Sequence, residues 1–391
     1  MQNIKQQLTK IKSDDLMFVC IALTFFLLPT GTAPPLMAIC LVFLAWVFSG
    51  KVAQVKDIVK QPWFWPIIPF VVLPWVGLLY SQNMELGLDY AGKTKYWLAV
   101  VLTASVSFDE KRTLIIIKCL WAGLSIGALL AGIQFFGILP PVKESQLGFG
   151  IVHTLINMYL IIGVLTASFG FKNAESNKSK IILFILILLF SFHIAVSIGR
   201  AGYLVFAILS PFVASNLMHG FSFKIKMIVS ILFACSLLLS PTVRGTLKTT
   251  IMIFDNQKEN IFKGEDIEAL PRPFIYKEAI KIIIEHPVIG IGTGSLTEPT
   301  KAKGHLVNHP HNNFLYMGVS YGLIGMLSCF WLFWNMFKRS WRMRKTRTGY
   351  FIFSSCVVLF LGGLFDTQIL NTGTLLFLSL SYGMLNHLQK E

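Results

Sequence analysis

Apolar runs of about 20 residues recur along almost the whole chain, and a run of that length is what an α-helix needs to cross a bilayer. They centre near residues 24, 42, 71, 101, 125, 159, 189, 209, 232, 325, 358 and 379, which predicts about twelve spans. A bilayer core offers no water to free backbone groups, so only helices or a closed barrel can cross it, and runs this long select helices. Composition agrees: 54% of the 391 residues are hydrophobic, the mean hydropathy is +0.65 and 14% are charged, against roughly a quarter in soluble domains. The expected fold class is an all-α integral membrane protein.

The net charge of +15 raises the question of nucleic acid, but its distribution argues against such a partner. The basic groups Lys51, Lys56 and Lys60, Lys111 and Arg112, Lys172, Lys178 and Lys180, and Lys224 and Lys226 sit in short connections. With the N-terminus in the cytoplasm these connections all fall inside, as does the strongest cluster, Lys338, Arg339, Arg342, Arg344, Lys345 and Arg347. The C-terminus is then cytoplasmic too. Lys5, Lys10 and Lys12 precede a first run that leads directly into another, without a small-residue cleavage site, so no cleavable signal is expected. The expected organisation is spans 1–9 over residues 1–240, an outer loop region over 241–311 and spans 10–12 over 312–391. A loop that long is expected to form helices of its own. The six cysteines all lie within predicted spans, which indicates buried thiols and no disulfide framework.

Chemistry is expected on the outer side. Arg200, in Ser197-Ile198-Gly199-Arg200-Ala201-Gly202, stands where the positive-inside trend does not want a cation, although snorkelling or simple turn chemistry is the competing reading. Arg272 opens a helical pattern in which Ile275, Ala279, Ile282 and Ile283 share one face; at a helix N-terminus a guanidinium could grip phosphate oxygens, although a solvated loop arginine is the better reading of this residue taken alone. His311 begins the next run and is a candidate general base for a hydroxyl. His309 and Asn312 could orient or supplement it, or Asn312 could simply cap the helix. Lys93 and Lys95 could extend an anion-binding surface. Gly322 and Gly325 favour close helix approach. Gly290-Ile291-Gly292-Thr293-Gly294 lacks the Gly-Lys-Ser/Thr end of a nucleotide loop. The histidines His305, His309 and His311 have no carboxylate or cysteine at ligand spacing, so no metal and no other cofactor is expected. His193, inside a predicted span, reads as a satisfied packing histidine.

Taken together, Ser197–Gly202, Arg272 with the Tyr276–Ile283 helix, His286-Pro287-Val288-Ile289-Gly290-Ile291-Gly292, and His311-Asn312 followed after nine residues by Gly322-Leu323-Ile324-Gly325 resemble the O-antigen ligase family of bacterial polytopic membrane glycosyltransferases. That family includes O-antigen polymerases and some protein O-oligosaccharyltransferases. The resemblance is specific over about residues 195–330, and Tyr276 stands where many relatives have tryptophan. It implies a GT-C-like membrane enzyme of the Gram-negative inner membrane, with one large periplasmic loop. The donor implied is a glycan on undecaprenyl pyrophosphate and the acceptor is lipid A–core, with membrane lipids around both. Arg200 and Arg272 would stabilise the pyrophosphate leaving group and His311 would serve as base, in a metal-independent, inverting transfer. Lys93, Lys95, His309 and Asn312 would bind pyrophosphate or acceptor. A polymerase joining carrier-linked repeats shares every one of these features except the acceptor; a lipid-linked sugar transporter or flippase would instead place charged residues at mid-membrane.

Overall fold

The computed structural model describes residues 2–143, 146–245, 248, 272–301 and 307–388, and among them the regular elements are all helical. In chain order the helices used below begin with α1 (Gln2–Leu27), α2 (Ala33–Phe48), α3 (Ile68–Val76), α4 (Leu98–Ala104) and α5 (Glu110–Phe135). They continue with α6 (His153–Lys172), α7 (Asn177–Val196), α8 (Arg200–Leu217), α9 (Phe223–Ser236) and α10 (Arg272–Glu285). The last are α11 (Asn313–Arg342), α12 (Arg347–Gly363) and α13 (Thr372–Gly383). Each of the twelve apolar runs coincides with a helix. Only five of those described, α5, α6, α7, α8 and α11, are both long and apolar enough to cross a membrane, or six if the pair bent by 92° at Ala33–Phe48 and Lys51–Val59 is one span.

Local chemistry explains why several runs fall short. The run near residue 71 contains Pro66, Pro69 and Pro74 and breaks into the 3-10 turns Trp65–Ile67 and Gly77–Tyr80 around the short α3; each proline removes a donor and crowds the preceding turn. The run near 101 starts as a 3-10 turn over Lys93–Trp97 before α4. Helix starts are capped where sequence permits: the side chains of Asp109, Ser176 and Thr346 accept backbone N–H bonds at α5, α7 and α12, satisfying donors that have no intrahelical partner.

α6 is the most enclosed long helix, packed by α7, α8 and α12, whereas α7 presents Ile181, Phe184, Ile185 and Leu188 outward. Large aliphatic side chains on an outward face are at home in hydrocarbon and nowhere else at this density. His193 lies buried in α7 with neither ring nitrogen hydrogen-bonded among the described residues, so it packs as expected but is not satisfied.

The glycines of the family-like segment have a different role from the expected helix approach. α11 breaks at Tyr321 and Gly322, where Gly322 adopts φ 60°, ψ −153°, a region open essentially to glycine alone. Into the break comes the segment after α10. Ile291 N–H donates to Val319 O (2.9 Å), Gly292 N–H to Ser320 O (3.1 Å), and Leu323 N–H to Pro287 O (2.7 Å). The carbonyls freed by the break are thus satisfied by the loop, as a broken membrane helix requires. Gly290, Gly292 and Gly294 all have positive φ, and a Cβ on Gly292 would meet Gly77 O at 2.7 Å. Thr293 then bonds Pro74 O and Gly77 O, and Ser81 donates to Thr293 O. The glycine run is a clasp between the outer segment and the α3 region. Gly322→Ala puts a Cβ 2.4 Å from the Val288 carbonyl and is expected to cost at least about 3 kcal/mol through strain and overlap. Thermal melting of the purified variant checks this; an unchanged midpoint would contradict the break as described.

Candidate active site at one end of the bundle

The starts of α6, α8, α11 and α13 and the end of α12 lie at one end of the bundle, and the ionisable groups expected to act meet there. His311 precedes the α11 cap and is the one non-glycine residue with positive φ (52°) among those described. An L-residue holds that conformation at a cost of about 1–2 kcal/mol, so its neighbours must enforce it. Asn312 does so: its N–H donates to Thr367 Oγ1 (3.1 Å), its amide donates to Leu364 O (2.9 Å), and its Oδ1 accepts from Phe314 N and Leu315 N. Tyr276, from α10, donates its hydroxyl toward His311 O (3.1 Å) and Leu364 O (3.3 Å). Asn312 is therefore a cap and a clamp whose side chain is engaged internally. Tyr276 likewise ties the Arg272 helix to the histidine turn, so the departure from tryptophan has a structural consequence.

The imidazole of His311 is held by a residue that the sequence reading passed over. Its Nδ1 lies 3.1 Å from Asp366 Oδ1, with the histidine side chain 38% exposed and the carboxylate 17%. The carboxylate is tucked behind and the ring faces out, the relation of an orienting acid to a base. Asp366 also accepts from Thr367 N–H (2.9 Å). Burial pulls its carboxyl upward, but the bonds from His311 and Thr154 and the charges of His311 and His309 outweigh that and hold it below the usual range. A proton on Nδ1 shared with Asp366 would leave Nε2 as the free ring nitrogen. The expected absence of a nearby carboxylate is thus corrected: Asp366 is 55 residues on from His311 and arrives by folding.

His309 stacks edge-on against His311, ring centroids 4.4 Å apart. Burial is the largest influence on it, followed by the charge of His311, with Lys93 and Arg272 adding and Asp366 opposing; its pKa is pushed down to about 4. Arg200 and Arg272 are near enough to repel one another, and both bear on His153, as does Asp366. His153, the first residue of α6, belongs to the cluster and was not expected. Lys93, whose charge bears on His309, is ion-paired to Asp89 (3.1 Å) and lies over the Tyr90 ring. Lys95 lies against Tyr96 instead, with no contact to the histidines among the described residues. His305 lies outside the described residues. The arrangement offers an oriented base beside paired guanidiniums, a set suited to moving a proton next to a developing anion.

One signal could have found Asp366. It is the sole carboxylate between Glu298 and Glu391, and an isolated acid at the edge of a span is a functional candidate by default. His309, His311 and Asp366 place one ligand atom each within 4.8 Å, a two-histidine, one-carboxylate set. The charges of Arg200, Arg272 and Lys93 around it oppose a divalent cation, so the set fits a metal poorly.

The low pKa of His309 makes stability depend on pH. Above pH 6.5, its ordinary value, the residue is neutral folded or unfolded and contributes nothing to pH dependence. Between 6.5 and about 4 the unfolded chain takes up a proton that the folded chain resists, so stability falls as pH falls through that window. Melting temperature measured from pH 7 to 4 is expected to decline less steeply in His309→Gln; parallel curves would count against a buried neutral His309.

The family model described as O-antigen ligase matches residues 183–330. That stretch holds Arg200, Arg272, His309, His311 and the clasp glycines, and leaves His153 and Asp366 outside it. No curated protein matches the chain.

Proposed function

We propose that this chain, in which residues 183–330 match a family model described as O-antigen ligase, transfers a glycan from undecaprenyl pyrophosphate to a sugar hydroxyl of lipid A–core, on the periplasmic face of the Gram-negative inner membrane. The observation that carries this reading is the meeting of His311 and Asp366 with Arg200 and Arg272 at one end of a membrane bundle. The acceptor hydroxyl attacks the anomeric carbon, its proton passes to His311 Nε2, and the bond from that carbon to the pyrophosphate oxygen breaks. The leaving undecaprenyl pyrophosphate keeps the electron pair. Arg200 and Arg272 meet the charge that develops on it, which is the kind of stabilisation that contributes most where water is excluded. Asp366 holds the ring in orientation and balances the imidazolium that forms. Attack opposite the leaving group inverts the anomeric centre; the two adjacent carboxyls of a retaining enzyme are not part of this proposal. Lys93 lies close enough to contribute to the anion site; Lys95 would act further out.

The same proposal includes twelve spans in a GT-C-like arrangement, with residues 241–311 in the periplasm. The alternation supports it, because the basic connections and the histidine cluster fall at opposite helix ends. Arginines take the place of a metal in this chemistry, so EDTA is expected to leave transfer by the purified protein unchanged. Loss of activity on chelation, with recovery on adding a divalent ion, would assign the His309–His311–Asp366 set to a metal. The deciding experiment is a comparison of surface lipopolysaccharide and carrier-linked glycan in cells lacking the gene. Bare lipid A–core with full-length chains accumulating on the carrier supports a ligase. Core bearing a single repeat makes the protein a polymerase, and an unchanged pattern in both pools overturns the proposal.

A further inference from the structure

We propose that the cavity between α5, α6 and α7, at the end of the bundle opposite His311, binds the headgroup of an anionic glycerophospholipid. The cavity measures about 700 Å³ and is lined by Lys118 of α5 and Arg347 at the start of α12, a volume in the range of small-molecule sites. Lys118 stands eight residues beyond the first residue of α5, about 12 Å along the helix. A cation at that depth in a candidate span calls for a partner. Among the described residues none of its hydrogen bonds or ion pairs is made within the protein. Arg347 is similar. The carboxylate nearest its backbone, Glu110, accepts from Arg347 N (2.8 Å) and from Thr348 N and Oγ1 (3.2 and 3.1 Å), which leaves the guanidinium to the cavity.

The contrast with the larger cavity at the same end is instructive. That one, about 890 Å³, is also lined by two cations, Lys51 and Arg112, but both are bound to Asp14, and Arg112 to Asp15 as well. Its charge is satisfied internally. In the Lys118 cavity only the exposed Glu175 opposes the two cations, and a net positive charge remains.

The walls select a lipid over a soluble anion. Trp121, Phe169, Leu183 and Leu186 form an apolar side, while Ser176 and Ser179 mark a polar mouth. The apolar side runs out along α7 to Ile182 and Ile185, which are exposed, so a chain attached to a phosphate between Lys118 and Arg347 has hydrocarbon to follow. Basic pockets between helices on the cytoplasmic side hold acidic headgroups by this combination. The assignment does not depend on glycan transfer, and activity is not among its readouts.

The test uses the full chain, purified and stripped of lipid in detergent, then titrated with phosphatidylglycerol or phosphatidylcholine and read by intact mass and by melting temperature. Phosphatidylglycerol is expected to bind and to raise the melting temperature, and phosphatidylcholine to do neither. Lys118→Gln and Arg347→Gln should each weaken phosphatidylglycerol about five-fold, the equivalent of one basic group near an acidic surface; Glu175→Gln should move it the opposite way. If Arg347→Gln fails to fold, Lys118→Gln, at an exposed position, still decides. Equal binding of the two lipids, or undiminished phosphatidylglycerol binding in Lys118→Gln, overturns the proposal. So does displacement of the lipid by millimolar inorganic phosphate, which would assign the site to a soluble anion.

Discussion

His311→Ala is expected to lower glycan transfer by about 10²–10⁴-fold, the usual contribution of a positioned base. The ring is 38% exposed and its inner nitrogen is held by Asp366 at 3.1 Å, so removing it takes away the proton acceptor without opening a core cavity. Melting temperature should therefore fall only modestly, by the loss of the bond that His311 gives the Asp366 carboxylate. Asp366→Asn separates orientation from proton transfer. Asparagine keeps the shape but removes the charge that balances the imidazolium, and it can present an N–H where a carboxylate oxygen accepted. The expected signature is a fall in kcat with KM little changed, together with a displaced pH–rate profile. A merely structural aspartate would lower stability and leave the profile where it was. Full transfer by His311→Ala, at normal protein levels in the membrane, would remove this residue from the mechanism.

Arg272→Ala carries the second large expectation, a loss of about 10²–10³-fold, comparable to the removal of one donor from a preorganised anion site. Arg272 stands at the first residue of α10, where the free N–H groups of the helix start add to its own charge. Arg272→Lys should recover only part of the activity, since an ammonium cannot offer the two-pronged bond of a guanidinium. Arg200→Ala should lose activity on the same scale. The double variant should lose more than the product of the two losses, because in each single variant the remaining arginine is relieved of the other's repulsion. Transfer measured with a carrier-linked donor and isolated core acceptor reads all four. Wild-type rates in Arg272→Ala would leave the leaving group without its proposed stabilisation.

How far the site was legible differs from residue to residue, for physical reasons. Arg200 and His311 could be picked out singly because a charged or titratable group beside an apolar run has few innocuous explanations, whereas Arg272 taken alone reads as a solvated loop arginine. Asn312 was visible as both a possible ligand and a possible cap, and four hydrogen bonds show it acting as cap and clamp. Asp366 and His153 escaped because each is isolated in sequence, and only the packing of α12 and α6 against the end of α11 gives them neighbours. The glycine pair Gly322 and Gly325 was read by spacing as a helix contact. Spacing carries no information on φ, and the positive φ of Gly322 turns the motif into a break that a loop fills.

The sequence by itself determined that this chain is a set of strongly apolar helices and where most of them lie. Those are consequences of hydropathy and charge acting over short stretches, and any fold must respect them. Tertiary structure decided that α11 breaks at Gly322, because the loop after α10 fills the gap and satisfies the freed groups. It also decided which carboxylate orients His311 and which cations are left without an internal partner. Those outcomes depend on contacts between residues far apart in the chain, and no local pattern encodes them.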